Sequence, residues 1–227
     1  MKKISTLLLL LVSIQLLAQN DQLKTEAANI YQRKDKLILN FTSDNWSGLA
    51  PNFTSKPFRS RGFSFLLMNE KMNAKGNIGV GAGLGFMSQN VHTDAYITDT
   101  TSDGSASILE KIPDSLSYKL NKLSLNFITA AIEIRLRSNI NKHKEVFKFN
   151  LGILAGLLVQ SHTKYEDTNE KIKTYNVKHL TDFQYGIEGR IGYSNYGICG
   201  YYSLADVFEK GKGPELIPYS VGLSFTF

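Results

Sequence analysis

Large apolar residues alternate with small or polar residues along several stretches of the chain. In 218–227, the odd-numbered positions from Tyr219 to Phe227 are apolar and the even-numbered positions from Ser220 to Thr226 are small or polar. Successive side chains of a β-strand point to opposite faces, so this stretch predicts a strand with one apolar face. Its length of about ten residues is that of a tilted strand crossing a bilayer.

Seven further stretches show the same alternation, separated by segments rich in turn-forming residues. The eight predicted strands are about 36–42, 60–68, 77–89, 118–137, 146–161, 181–193, 196–204 and 218–227. The connections alternate long and short, with a tight hairpin turn at Ser194 and Asn195. An even number of antiparallel strands, short periplasmic turns and long extracellular loops are typical of outer-membrane barrels.

The predicted strand 77–89 carries four glycines on one face, at 79, 81, 83 and 85, and apolar residues from Ile78 to Phe86 on the other. Glycine weakens a strand interior but suits a face that lies close to other chain segments. A soluble sandwich would fill its inner face with large apolar groups. The pattern therefore indicates a barrel whose bulky face meets lipid and whose small face meets a crowded lumen.

The long strand 118–137 needs a change of parity if all its apolar residues are to face lipid. Leu123, Leu125 and Phe127 are odd-numbered, whereas the apolar residues from Ile132 to Leu136 are even-numbered. We predict a β-bulge near 129–131 that turns both sets outward. Without it, an arginine would enter lipid at a cost of about 2–4 kcal/mol near the bilayer midplane.

The first residues predict a secretory signal peptide. Lys2 and Lys3 precede an apolar run from Ile4 to Leu17, and the small residue Ala18 follows, in the usual order of basic, apolar and cleavage regions. We predict cleavage after Ala18, because the run is short for a spanning helix of about 20 residues. The predicted organisation is a signal peptide at 1–18, a periplasmic N-terminal segment at 19–35 and an outer-membrane barrel domain at 36–227.

Composition narrows the class further. The formal net charge of +6 is dispersed, which predicts no nucleic-acid partner. The single cysteine, Cys199, excludes an internal disulfide framework. We predict an all-β fold, an eight-stranded antiparallel transmembrane β-barrel of the outer-membrane type. The structural alternative is a soluble lipocalin-like barrel with its Phe/Leu/Ile face turned inward.

Charged residues fall on the predicted lumen face of three neighbouring strands. The cluster is Glu133, Arg135, Arg137, Lys148, Glu188 and Arg190. Side chains just fill the interior of an eight-stranded barrel, so the cluster is interpreted as a paired, structural polar core that plugs the lumen. The alternative is a gated pore or a proton-linked path. Gln160 is also predicted to face the lumen.

The residues suited to catalysis do not form a recognisable motif. Ser161 and His162 are adjacent and invite comparison with lipid-modifying hydrolases, but there is no G-x-S-x-G elbow, and catalytic arrangements are recognised by geometry. The acidic loop from Asp94 to Asp114 lacks the spacing of an EF-hand. The sequence therefore predicts no enzyme and no catalytic, cofactor or metal site.

Residues near the strand ends predict contacts with the membrane boundary. Asp44, Asn45 and Trp46 are predicted to anchor one rim, and Tyr193 and Tyr196 the opposite girdle. Phe225 and Phe227 lie at the end of the last strand. They are interpreted as the assembly signal that the barrel-assembly machinery reads in outer-membrane barrels.

Two segments carry a resemblance to a known family: LNFITAAIEIRLR at 125–137, and TDFQYGIEGRIGY at 181–193 followed by YYSLADVF and SVGLSFTF. They resemble the small outer-membrane β-barrel proteins of the Bacteroidota, in the PorT-like group. The first is similar to that group's LNYLEIPLLLKYR pattern, with Ala131 at the proline position. The resemblance implies an outer-membrane barrel and a link to type IX protein secretion.

The leading functional hypothesis is a non-enzymatic outer-membrane barrel with a plugged polar lumen and a structural or interaction role, as an accessory of secretion or envelope assembly. Its expected partners are outer-membrane lipids, the barrel-assembly machinery during insertion, and an envelope or secretion protein. The alternatives are a narrow channel for small solutes and a lipid-modifying outer-membrane enzyme.

Overall fold

The computed structural model describes residues 35–99, 105–139, 141, 143 and 145–227. The predicted signal peptide, its cleavage after Ala18 and residues 19–34 of the predicted periplasmic segment lie outside these ranges. Within them no helix is long and apolar enough to cross a bilayer.

The described residues form eleven strands. The strands are β1 Leu37–Ser47, β2 Arg61–Met72, β3 Ile78–His92, β4 Ala95–Asp99, β5 Ser107–Lys111, β6 Tyr118–Arg137, β7 Phe147–Asp167, β8 Lys171–Tyr175, β9 Phe183–Tyr193, β10 Tyr196–Ser203 and β11 Ile217–Thr226.

Eight of these strands close into an antiparallel barrel. Each pairs with the next in the order β1, β2, β3, β6, β7, β9, β10 and β11, and β11 pairs with β1. Closure pairs each of these eight strands on both sides along the barrel wall. The predicted eight-stranded antiparallel barrel is confirmed, and β1 and β7 run several residues further than predicted.

The seam between β1 and β11 shows how the alternation is used. Thr42 pairs with Gly222 and Phe41 with Leu223. Ser220 and Ser224 are buried, whereas Val221 and Leu223 are 61% and 56% exposed. The apolar residues of β11 thus belong to an outer belt, and its small residues face the lumen, as predicted.

The two ends of the barrel differ. At one end the connections are short, and β9 and β10 are joined by the predicted two-residue hairpin, in which Ser194 has a positive φ of 53°. At the other end the connections are long and carry their own strands. β4 and β5 pair as a hairpin, and β8 extends the sheet beside the upper part of β7. These loop strands were not predicted.

β6 keeps a single parity from Asn121 to Arg137, so the predicted bulge near 129–131 is wrong. Leu123, Leu125 and Phe127 are 3%, 4% and 1% exposed and face the lumen, on the same side as Arg135. The reason is that β6 continues beyond the apolar belt. From Asn126 to Lys122 its outer positions are polar, and its large apolar side chains fill the interior.

A bulge does occur, but on β7. Asn126 pairs with Gln160 and Phe127 with Leu158, so Val159 is the additional residue. Val159 and Gln160 are both exposed, whereas Ser161 is buried. The prediction that Gln160 faces the lumen is therefore wrong, because the bulge reverses the parity of β7 just before it. On the outer surface Gln160 accepts a hydrogen bond from the Asn126 side chain at 2.8 Å.

Of the three predicted anchors of the first rim, Asp44 and Trp46 are misplaced, whereas Asn45 lies on the outer face and donates to the Tyr219 hydroxyl at 3.0 Å. β1 extends to Ser47, so its even-numbered residues continue to face inward. Trp46 is 6% exposed and belongs to the apolar core, and Asp44 is 1% exposed. The Asp44 carboxylate accepts hydrogen bonds from the hydroxyls of Thr42 and Ser220 at 2.7 and 2.8 Å. At the short-turn end, Tyr193 and Tyr196 are exposed on the outer face, where the girdle was predicted.

Candidate functional site

The register of the barrel places three buried glutamates in one cross-strand row, in the order Glu70, Gly81, Glu133, Gly152 and Glu188. The two glycines leave room for the neighbouring side chains. A Cβ on Gly81 would lie 2.7 Å from Arg135 Nε, and one on Gly152 would lie 2.6 Å from the Glu133 Cβ. The small face of these strands is therefore what allows a charged interior.

Two arginines pair with this row. Arg135 and Arg190 lie two residues after Glu133 and Glu188 on the same strands, and thus nearer the short-turn end. Arg135 donates to Glu133 and to Glu70, each at 2.5 Å. Arg190 donates to Glu188 at 2.5 Å and also reaches Glu133. Glu133 is therefore shared between the two guanidinium groups.

A third layer lies towards the short turns. Lys148 Nζ contacts Asp35 Oδ1 at 2.7 Å. Arg137 contacts Asp35 Oδ2 at 3.1 Å and Glu70 Oε2 at 2.7 Å. Sequence reasoning missed Asp35, which it placed in the periplasmic segment, and Glu70, which it placed in a turn. Glu70 could have been found, because it continues the inward parity of Leu66 and Met68.

Together these side chains form the lumen network, with four carboxylates and four basic groups: Asp35, Glu70, Glu133, Glu188, Arg135, Arg137, Lys148 and Arg190. All six residues of the predicted charge cluster belong to this network. Arg135 is fully buried at 0% exposure. An ion in such a place costs several kcal/mol unless it is paired, so each member depends on its partners.

The lumen is polar only in part. Beyond the network lies an apolar layer that includes Phe127, Leu125, Leu154 and Met87. A void of about 20 Å³ borders Asn40 and Glu188, which is room for about one water molecule. A second void of about 20 Å³ borders Lys148 and Arg190. The predicted polar plug is thus a charged layer backed by an apolar one.

The long loops pack together above this apolar layer. We call them the cap, which consists of residues 48–60, 93–99, 105–117, 168–182 and 204–216. Thr54 N donates to Asp94 Oδ1 at 2.7 Å, and Ser107 N donates to the Lys212 carbonyl at 2.9 Å. Leu180 and Phe208 form a β-bridge and are both buried. Each loop therefore contributes to one folded surface.

A cleft of about 420 Å³ lies between the β4–β5 hairpin and the inner face of β6, β7 and β8. Its walls include Trp46, Tyr96, Tyr165 and Asn121. The rings of Tyr96 and Tyr165 lie 5.1 Å apart. Burial raises the pKa of Tyr96 to about 12, so its phenol stays neutral. The volume is within the range of small-ligand sites.

Ser161 and His162 do not form a nucleophile–base pair. They are consecutive residues past the bulge, so their side chains point to opposite faces of β7. Ser161 is buried and its hydroxyl accepts a hydrogen bond from Val177 N at 3.0 Å. The His162 ring lies on the outer face beside Tyr175, with centroids 5.7 Å apart.

The two predicted assembly-signal residues lie on the outer surface at the short-turn end. The Phe225 ring makes edge contacts with Phe41 and Tyr196 at 6.0 and 5.8 Å. Phe227 is 57% exposed. Their role in assembly stays a prediction.

The closed barrel, its apolar outer belt and its buried charges define a membrane-spanning β-barrel protein. The family described as "Outer membrane protein beta-barrel domain" matches residues 37–209, and the chain belongs to that family. The protein is therefore one of the bacterial outer membrane, and the long-loop end is assigned to the extracellular side.

No curated protein matches the chain. Among solved structures, one similar chain is the attachment invasion locus protein Ail of Yersinia pestis, solved in complex with the heparin analogue sucrose octasulfate. It is 13% identical with a TM-score of 0.35, over 84% of this chain and 96% of that one. At this level of similarity no property of Ail is transferred.

Proposed function

We propose that the protein is a non-enzymatic, non-conducting anchor in the outer membrane that presents its folded cap to an envelope or secretion partner. The observation that carries the proposal is the combination of a lumen closed by two layers and a cap with an open cleft. A transport role needs a path through the barrel, whereas an interaction role needs an ordered outer surface. The molecule provides an ordered outer surface.

Both layers of the lumen argue against the narrow channel. The lumen network ties β2, β6, β7 and β9 together through paired, buried charges, and moving Arg135 would leave Glu70 and Glu133 without their shared partner. Behind it, the buried apolar side chains of Phe127, Leu125, Leu154 and Met87 fill part of the lumen. The two voids that border the network each have room for only about one water molecule.

The cleft supports an interaction role. It combines aromatic walls with polar groups, including Asn121, Thr163, Asp167 and Glu170. Aromatic residues with a polar tip are enriched at protein interfaces, because they bury a large area and still form hydrogen bonds. The cleft therefore suits a peptide segment of a partner protein that inserts an apolar side chain between polar contacts.

The identity of that partner is proposed from the PorT-like resemblance of 125–137 and 181–193. It favours a source among the Bacteroidota and an accessory role in type IX secretion or envelope assembly. The lipid-modifying alternative has less support, since Ser161 and His162 lie on opposite faces of β7.

Site-specific photocrosslinking in intact cells tests this proposal. A photoreactive residue at Tyr96, in the cleft, is compared with one at Lys75, in the exposed β2–β3 turn at the other end. We expect a discrete protein adduct from position 96 that disappears when Tyr165→Ala reshapes the cleft wall. The same adduct from both positions, or none from position 96 in a correctly inserted barrel, would contradict the proposal.

A further inference from the structure

A row of basic side chains crosses the outer face of the sheet beyond the apolar belt. The register places His92 opposite Lys122, Lys122 opposite Lys164, and Lys164 opposite Lys173, on β3, β6, β7 and β8 in turn. Their neighbours Val91 and Leu123 are buried, so the four side chains of the row point away from the lumen. We call this set the lysine row.

Like charges directly opposite one another on paired strands are destabilising, so three adjacent lysines call for an explanation. Lys164 is paired with Glu166 at 2.9 Å. The contacts of the other two are with neutral groups. Lys122 donates to Asn90 Oδ1 at 2.7 Å, and Lys173 lies over the ring of Tyr175 at 4.5 Å. The row therefore keeps an excess of positive charge.

Two further cations extend this positive surface from the β1–β2 loop. Lys56 donates to the Tyr118 hydroxyl at 3.1 Å and lies 4.6 Å from the centre of its ring. Arg59 donates to the Lys119 carbonyl at 3.2 Å. The hydrogen bond of His92 N to Ser60 Oγ at 2.9 Å holds the loop beside the lysine row.

The distance of the lysine row from the apolar belt indicates which part of the membrane it faces. On β6 the continuous run of apolar outer positions ends at Ile128 and is followed outward by Asn126, Ser124 and then Lys122. Six residues at about 3.3 Å each, on a strand tilted by about 40°, place Lys122 about 15 Å above Ile128. The interfacial layer of a simple bilayer is only about 5–8 Å deep on each side. The row is thus level with groups carried beyond the glycerol backbone, such as a saccharide headgroup.

We propose that the lysine row binds the phosphate or carboxylate groups on the saccharide headgroup of an anionic glycolipid in the outer leaflet. The row faces sideways, along the membrane plane, where lipids surround the barrel. A soluble partner approaching from outside would meet the cap first. Lysine–anion pairing at this height offsets the repulsion between Lys122, Lys164 and Lys173. This inference rests on the orientation of the barrel and not on the proposed function of the cap.

The test uses the full barrel in nanodiscs of zwitterionic phospholipid doped with a phosphorylated glycolipid or with its dephosphorylated counterpart. Retained glycolipid is counted by native mass spectrometry. Each lysine near an anionic surface contributes about a fivefold gain in binding. We therefore expect Lys122→Gln/Lys164→Gln/Lys173→Gln to reduce retention of the phosphorylated lipid at least about tenfold. Retention should also fall as the salt concentration rises.

The matched control removes three exposed lysines at the opposite end of the barrel, Lys36→Gln/Lys71→Gln/Lys75→Gln, and should retain the glycolipid as the wild type does. Heat-modifiable gel mobility verifies that both variants are folded. Equal retention by the lysine-row variant, or equal retention of the two glycolipids by the wild type, would overturn the inference. So would tighter binding of a soluble acidic polysaccharide than of the glycolipid, because the occupant would then not be a lipid.

Discussion

Arg135 on β6 donates a hydrogen bond to Glu70 on β2 at 2.5 Å, across the strand β3 that separates them. The contact is possible because Gly81 occupies the position between Glu70 and Glu133 in the cross-strand row. Any side chain at Gly81 would enter the space of the Arg135 guanidinium. The glycine face of β3 and the charged lumen are therefore two parts of one arrangement.

Removing Arg135 should destabilise the barrel strongly. Arg135→Met keeps much of the volume but leaves Glu70 and Glu133 without a shared buried partner, for an expected loss of about 3–5 kcal/mol. Urea unfolding in lipid vesicles, followed by the fluorescence of the single tryptophan, Trp46, measures the free energy of unfolding. Arg61→Met, at an exposed strand end, is the control and should change it by less than about 0.5 kcal/mol. Equal effects of the two variants would contradict the network.

The small face of β3 should not tolerate even a methyl group. A Cβ at Gly85 would lie 1.9 Å from the Phe65 carbonyl oxygen, which is backbone and cannot swing aside. Gly85→Ala should cost at least about 1–3 kcal/mol. At Gly200 the nearest atom to a new Cβ is 3.8 Å away, so Gly200→Ala should fold as the wild type does. Refolding yield on heat-modifiable gels compares the two, and similar yields would count against the packing described.

The bulge on β7 predicts opposite accessibility for two consecutive residues. In a Cys199→Ser background, Gln160→Cys should react quickly with a bulky maleimide, because position 160 is exposed on the outer face. Ser161→Cys should react slowly, since position 161 is 4% exposed. Mass spectrometry of the labelled protein in detergent gives both rates. Fast labelling at 161 and slow labelling at 160 would place the bulge elsewhere.

The alternation of residues predicted the barrel well because membrane strands obey a period of two wherever one face meets lipid. The alternation was misleading where the strands no longer contact lipid. The pattern predicts that Leu123, Leu125 and Phe127 face lipid because they are apolar, yet they lie at and beyond the end of the apolar belt of β6, where such residues turn inward. The strands β4, β5 and β8 were missed for the same reason, since they stand in polar loops with no lipid contact.

The charged cluster was found in part. Glu133, Arg135 and Glu188 were assigned to the lumen correctly, because they lie at inward positions of long strands. Asp35 and Glu70 were missed, because they lie at or beyond the predicted strand ends. The lysine row could not be seen at all, since Lys122, Lys164 and Lys173 become neighbours only through the register of three paired strands. The bulge on β7 helps to set that register.

Closure of the lumen by the charged layer and the apolar layer is tested most directly by planar-bilayer conductance of the purified wild-type barrel. Insertion is verified by heat-modifiable mobility of the same preparation, and an open porin measured in parallel shows that the bilayers report currents. We expect no reproducible current steps above the bare-bilayer baseline, across salt concentrations and voltages of both signs. A regular unitary current from the wild type would contradict the account, and the narrow channel would then replace the closed anchor.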